Sequence, residues 1–211
     1  CPFEVIPTGI DCAALRDGDA GKARQELGLR DDDELFLYMG RMGKEKSIDF
    51  LLKAFQAYCQ QGGTAHFALI GGGPELENLK RATVEMGIAE RCHFPGYRQR
   101  ERLKDYLAAT KMFLFASQTE TQGLVLIEAA AAGVPVVAIR ASGVNEAVEP
   151  DGSGLLTSPG RLEEFVAAMQ RVDQNPELHQ RLSQRASSWA DGFSDREMGR
   201  KMTNLYRSLR P

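Results

Sequence analysis

The sequence predicts an α/β fold, a parallel sheet flanked by helices. Two observations carry this reading. Short apolar runs ending at Gly or Pro recur along the chain, as strands buried on both faces of a parallel sheet do. Between them lie segments whose apolar residues recur every three to four positions, the period of an amphipathic helix. Strand and helix in alternation imply right-handed crossovers. The 211 residues suffice for one domain with a sizeable core.

The opening Cys1-Pro2-Phe3-Glu4-Val5-Ile6-Pro7 is an extended apolar entry with no charged leader and no cleavage site. Because it starts at Cys and not Met, it reads as part of a longer chain. Arg16 to Ala20 is polar and reads as a loop. The first strand is Leu-Phe-Leu-Tyr-Met at 35–39, ending at Gly40. Ile48, Leu51, Leu52, Phe55, Tyr58 and Cys59 form the stripe of the first long helix. The second strand, 66–70, ends at Gly71-Gly72-Gly73, and Pro74 opens a helix carrying Leu76, Leu79 and Met86. A third strand at 92–94 ends at Pro95-Gly96, and Leu103, Tyr106 and Leu107 mark a short helix. The fourth strand is 112–116, and the alanine-rich 127–132 is helical. The fifth strand is 134–139. Leu162, Phe165, Val166, Met169 and Val172 predict a helix with Ser158 as N-cap and Pro159 at its first position. Asn175-Pro176-Glu177 repeats that start signal for a helix carrying Leu178, Leu182 and Trp189. Residues 193–211 are charged and weakly periodic, a tail expected to pack elsewhere or fray.

Apolar residues make up 43% of the chain, charged residues 26%, and the net charge is −3. This excludes collagen-like, disulfide-dense and wholly disordered classes. It gives no general basic excess for a nucleic-acid backbone. No apolar run approaches the roughly 20 residues of a membrane-spanning helix. Cys1, Cys12, Cys59 and Cys92 show no Cys-x-x-Cys spacing and read as free thiols of a reducing compartment. His66, His93 and His179 are scattered, so neither a metal site nor a Ser-His-Asp order stands out.

In an open α/β sheet, ligands bind beyond the carboxyl ends of the strands. Those ends gather glycines, hydroxyls and charges on one edge. In Gly40-Arg41-Met42-Gly43-Lys44-Glu45-Lys46, Gly40 lets the backbone approach a ligand closely. Arg41 and Lys46 flank a helix start, where free N–H groups already favour an anion. A planar fork and a point charge together suit a diphosphate. A solvated helix start accounts for this loop equally well. Gly71-Gly72-Gly73-Pro74 departs from the G-x-G-x-x-G pattern, since Leu76 stands at the third glycine's place. A tight turn into a helix is the preferred reading there, with close approach to a ligand left open. The most informative stretch is 117–128. Gly123 sits in a strand-to-helix turn, and the N–H groups of Leu124 and Val125 head the helix, where a phosphate fits without a metal. Glu120 lies in the loop, and Glu128 lies within an apolar helix, costly to bury without partners. The plain alternatives are a surface loop residue and a solvated helix carboxylate.

At these residues the sequence resembles the nucleotide-sugar-binding half of retaining glycosyltransferases of the GT-B fold. Glu120 and Glu128 stand as E-x7-E. Val5-Ile6-Pro7-Thr8-Gly9-Ile10-Asp11, Gly40-Arg41…Lys46 and Gly133-Val134-Pro135-Val136-Val137-Ala138 are similar in order and spacing to that family's segments. The likeness covers residues 5–190. It implies a single nucleotide-sugar-binding domain, 1–211, with a Rossmann-like sheet, the C-terminal half of a GT-B fold. An N-terminal acceptor domain, which usually supplies a catalytic histidine, has no counterpart in these residues. Ser142 stands where many members carry the first of two glycines.

By this resemblance Arg41 and Lys46 hold the donor diphosphate, with Gly40 beside it. Glu120 contacts the sugar hydroxyls near the reacting carbon. The backbone of Thr121, Gln122, Gly123 and Leu124 lines sugar and phosphate. Glu128 bonds the ribose hydroxyls, and the loop with Cys92, His93 and Tyr97 borders the base. The family generally needs no metal, and no cofactor is expected beyond the donor. The wording of the loops is similar to bacterial glucosyltransferases acting on diacylglycerol, which use UDP-glucose. The implied reaction moves a hexose to a hydroxyl with retention. The implied partners are the donor, the acceptor domain and, for a lipid acceptor, the inner membrane surface of the cytoplasm. Arg91, Arg98, Arg100, Arg102 and Lys104 form a cationic run that reads as a solvated face, with anionic headgroups as the alternative. A nucleotide-sugar binding or regulatory module without turnover is the competing function. A sugar-nucleotide epimerase or a phosphorylase fits less well, the latter for want of a pyridoxal-binding Lys segment.

Overall fold

The computed structural model describes residues 4–208, so Cys1 and residues 209–211 of the predicted tail lie outside the described residues. The chain runs α1 (Cys12–Arg16), α2 (Ala20–Leu27), β1 (Leu35–Met39), α3 (Ile48–Gln60), β2 (His66–Ile70), α4 (Leu76–Glu85), β3 (Cys92–Gly96) and α5 (Arg100–Ala109). It continues with β4 (Met112–Phe115), α6 (Leu124–Ala131), β5 (Val136–Ile139), α7 (Ser142–Ala147), β6 (Gly154–Thr157), α8 (Leu162–Gln174), α9 (Pro176–Asp191) and α10 (Asp195–Ser208). The six strands form one sheet in the order β3-β2-β1-β4-β5-β6, and every pair is parallel. Leu37 sits between Ala68 of β2 and Phe113 of β4, which fixes the register at the centre.

β1, β4, β5 and β6 are buried along their whole length, as their apolar runs require once helices cover both faces. The predicted α3 stripe is buried from Ile48 to Tyr58, with Phe36 of β1 and Phe67 of β2 completing an aromatic cluster around Phe55 and Tyr58. α3 packs on α4 and α8, whereas α2 packs on α5 and α6 on α9, giving two helical layers. No helix among the described residues is long and apolar enough to cross a membrane.

Several elements differ from the expectation. β6 was not anticipated, because its four residues Gly-Leu-Leu-Thr offer too short an apolar run to stand out. α1 and α2 are short and bury only Cys12, Leu15 and Ala23, yet Asp11 and Asp19 cap them by accepting from backbone N–H groups. The Ser158-Pro159 start fails: Gly160 turns with a φ of 73° and α8 opens at Leu162, while Ser158 N–H donates to Glu164. α4 opens at Leu76 and not at Pro74. The described part of the tail is a regular helix, α10, with Met198 its one buried residue.

The amino ends of the strands carry a half-buried polar layer. Lys111 pairs with Glu34 at 3.0 Å and Asp173 at 2.9 Å, and the Tyr58 hydroxyl donates to Asp173 at 2.8 Å. His66 and His93, far apart in sequence, meet here with Nδ1 of one 2.9 Å from Nε2 of the other. Burial lowers the pKa of both rings, so the folded state prefers them neutral. Unfolded, they take up protons near pH 6.5. Stability from this pair is therefore full above about pH 6.5 and is lost as pH falls below it. Urea midpoints at pH 7.5 and pH 5.5 should show that loss, and a His66→Gln, His93→Gln double variant should show a smaller one.

Candidate functional site

The strand order reverses direction between β1 and β4, so the loops leaving these two neighbours diverge to opposite faces and open a crevice at the carboxyl edge. After β1, Gly40 takes a φ of 153° and the Tyr38 hydroxyl donates to Arg41 O at 3.0 Å. This loop lies directly on the loop after β2. Met42 N–H donates to Gly72 O at 2.8 Å, and Glu75 N–H to Met42 O at 3.1 Å. A Cβ at Gly71 would collide with Gly40 O and one at Gly73 with Met42 O. The glycine run thus serves close approach between two loops as well as a turn. Arg41 remains 61% exposed and reaches Glu45 at 2.5 Å. Lys46 ends a single 3-10 turn, and its Nζ crosses the crevice to Glu120 Oε2 at 3.1 Å.

After β4, Ser117 is buried and its hydroxyl donates to Glu45 O at 3.4 Å. Gly123 takes the left-handed φ of 65° that starts α6 without a side-chain cap. Glu120 Oε1 instead accepts from Gly123 N–H at 3.3 Å. Thr121 and Gln122 are exposed, and Thr8 donates to Gln122 Oε1 at 2.9 Å. From behind, Gly143 of α7 presses on the loop: its N–H donates to Glu120 O at 3.3 Å, and a Cβ there would lie 2.6 Å from that oxygen. Burial works against the Glu120 charge, but the Lys46 ammonium and the Gly123 and Thr121 N–H groups outweigh it and hold its pKa below the ordinary value.

Glu128 projects from the same helix and its side chain is only 17% exposed. Burial pushes its pKa up, and Arg100 offsets part of that effect from 3.1 Å. The solvated alternative for Glu128 is therefore excluded. Arg100 itself was read only as one of a cationic run, because nothing in the sequence links the start of α5 to α6.

The third wall is the β3–α5 corner. Tyr97 is 79% exposed and lines a cavity of about 320 Å³ with Gly40, Arg41, Gly71, Gly72 and Leu103. Cys92 and His93 do not reach it. They begin β3, whose carboxyl end is Gly96, so they lie at the opposite edge of the sheet. Cys92 is buried, its thiol pushed up to about 12 by burial, and His93 is bonded to His66. The resemblance assigns the whole segment from Cys92 to Tyr97 to the base, although only the carboxyl end of the strand faces the crevice. A larger cavity, about 700 Å³, lies between α8 and α9 around Gln170, Arg171 and Gln174, away from every predicted site residue. The cationic run is spent locally: Arg91 on Gly63 O, Arg98 and Arg102 on Glu26, Lys104 on Asp17 and Arg100 on Glu128. That leaves little free charge for a lipid headgroup.

Lys46, Glu120 and the uncapped start of α6 thus meet in one crevice, with Arg41 on its β1 loop and Glu128 a turn along α6, an arrangement suited to a polyhydroxylated anion. Residues 19–189 match the family described as "Glycosyl transferases group 1". The chain belongs to this family. Among curated relatives of the group 1 chain, the D-inositol 3-phosphate glycosyltransferase of Nocardia farcinica is 33% identical over 91% of this chain and 44% of its own length. The alpha-D-kanosaminyltransferase of Streptomyces kanamyceticus is 27% identical over 92% of this chain and 52% of its own. The chain spans about half the length of the curated relatives it matches. Neither name mentions diacylglycerol, the acceptor that the loop wording had indicated. The crystal structure of Anabaena HepE in complex with UDP superposes with a TM-score of 0.88, 25% identity, 98% of this chain and 57% of that one. Sucrose-phosphate synthase from Thermosynechococcus elongatus gives 0.85, 28%, 98% and 52%. The fold is that of the GT-B glycosyltransferases.

The packing of Gly143 against Glu120 O makes a specific demand. Gly143→Ala should destabilise the protein by about 1–3 kcal/mol through overpacking against backbone. Gly72→Ala, with open space at its Cβ, should stay within about 0.5 kcal/mol. Urea denaturation of both variants beside the parent checks the contrast.

Proposed function

We propose that this chain is the donor-binding half of a transferase that moves a hexose from a nucleoside-diphosphate sugar to a hydroxyl, with retention. UDP-glucose is the favoured donor. The observation that carries the reading is the Lys46–Glu120 pair across the β1/β4 crevice, at the uncapped start of α6. A diphosphate there meets Lys46, Arg41 and the leading N–H groups of α6 at once. Departure of the diphosphate concentrates negative charge, and these groups stabilise it without reorganising. Losing one such donor raises a barrier by on the order of 3 kcal/mol. Glu120, held ionised, accepts from sugar hydroxyls and keeps the sugar in register with the leaving group. Gly40 and the backbone of Thr121, Gln122, Gly123 and Leu124 shape the sugar and phosphate subsites. Glu128 takes the ribose hydroxyls, and the cavity beside Tyr97 takes the base. HepE has been crystallised with UDP and with UDP and glucose, which supports uracil over guanine.

The acceptor is read by a second, N-terminal domain, with closure between the halves excluding water. The relatives' names favour a cyclitol or sugar hydroxyl over diacylglycerol. The setting we propose is the cytoplasm, peripheral to the membrane where the acceptor is a lipid, and the chemistry uses no metal.

Calorimetric titration of the chain with UDP, UDP-glucose, GDP and GDP-mannose tests the reading. The uridine nucleotides should bind, guanosine nucleotides should bind more weakly, and EDTA should change nothing. Arg41→Ala and Glu128→Ala should each weaken UDP by about tenfold, the loss of one charge-assisted contact. Binding of no nucleotide, or binding indifferent to both substitutions, overturns it.

A further inference from the structure

We infer that Arg100 is the positioning residue of the Glu128 carboxylate: it clamps one oxygen and leaves the other as acceptor for the donor's ribose hydroxyls. The inference rests on the donor reading above and extends it to a residue outside the predicted site. Arg100 Nη2 lies 3.1 Å from Glu128 Oε1. The carboxylate side chain is 17% exposed and the guanidinium 68% exposed, so the arginine reaches in from solvent over a mostly covered acid.

The position of Glu128 explains the need. It sits on an apolar helix, beside the buried Ile127 and Ala129 and the half-buried Leu124 and Val125. A carboxylate in such surroundings is costly to keep charged unless a partner is supplied. Charged groups on the other elements packed against α6 are engaged elsewhere or exposed; on α9, Arg185 pairs with Glu149. Arg16 of α1 donates to Ala131 O and pairs with Asp191 of α9, at the far end of the helix. Glu146 of α7 is exposed. Arg100 is the charged side chain that acts on Glu128, and it lowers a proton affinity that burial raises. Arg98, Arg102 and Lys104 on either side of it bond to Glu26 and Asp17 instead.

Ionisation matters because the two hydroxyls of a ribose are both donors. A charged carboxylate accepts from both, whereas a protonated one must itself donate at one oxygen. Arg100 also opens α5, three residues past Tyr97, so the clamp ties the carboxylate to the wall of the 320 Å³ cavity.

The test is calorimetry with UDP and 2′-deoxy-UDP between pH 5 and pH 8, on the whole chain and its Arg100→Ala, Arg100→Lys, Glu128→Gln and Arg100→Ala/Glu128→Gln variants. Arg100→Ala should weaken UDP by about tenfold at pH 7, one charge-assisted contact. Its affinity should also fall, as pH is lowered, at a higher pH than that of the parent. Arg100→Lys should restore the parent's acid limb, since it returns the charge. In the double variant Arg100→Ala should cost nothing beyond Glu128→Gln, and its cost should shrink with 2′-deoxy-UDP. An additive double variant would mean that Arg100 grips the nucleotide directly and would overturn the inference. An Arg100→Ala variant that binds like the parent, while Glu128→Gln is weakened, overturns it and leaves the donor reading standing. A Glu128→Gln variant that binds UDP like the parent overturns the inference, and a parent that binds no UDP removes the donor reading with it.

Discussion

The crevice exists because the sheet changes direction at its centre, and the Lys46–Glu120 ion pair spans it beside the Ser117–Glu45 hydrogen bond. β1 and β4 are neighbours in the sheet but are followed by helices on opposite faces. Nothing in the backbone ladder therefore joins their two exit loops. The pair does so at 3.1 Å, between residues 74 positions apart in sequence, with side chains 21% and 19% exposed. Half-buried ion pairs return little net stability once desolvation is counted. Their use here is positional: each charge fixes the other across the crevice.

Around that pair, fit between backbones sets the precision of the site. The β1 loop rests on the β2 loop through Gly71 and Gly73, and the β4 loop rests on α7 through Gly143. At each contact a Cβ would enter a carbonyl oxygen. The loops thereby act as one braced surface, which is what electrostatic preorganisation demands of groups that must not move when charge develops. Ser142, where many similar proteins have glycine, is tolerated because the close contact is made by the residue after it.

This division also explains how far the sequence could be read. Strands and long helices announced themselves because burial on two faces leaves uninterrupted apolar runs, and one-face burial leaves a 3.6-residue stripe. β6 and α7 did not, since a four-residue strand and a six-residue helix containing Gly143 and Asn145 carry too little pattern. Glu120, Lys46, Arg41 and Gly123 were legible because strand ends gather on one edge. Cys92 and His93 were misplaced by the same rule applied without polarity: they are adjacent to the predicted loop in sequence but at the start of the strand, a strand's length from its ligand-facing end. Arg100 was hidden for a further reason. Its role depends on the first side chain of α5 reaching Glu128 of α6, which no local pattern encodes.

The two carboxylates flanking and riding α6 show how environment separates like groups. Glu120 accepts from Lys46 and from backbone N–H groups, which keep it charged well below neutral pH. Glu128 has one partner, and burial pushes it toward the protonated form. When two acids near one ligand are driven apart in this way, they serve different tasks. In the function proposed above, Glu120 faces the sugar as the diphosphate departs and benefits from being held below its ordinary pKa. Glu128, proposed above to grip the ribose hydroxyls, needs its charge while the nucleotide is held, and the exposed Arg100 supplies its partner. The charge at the start of α6 is thus secured by several donors, while the one a turn further along rests on a single solvent-facing cation.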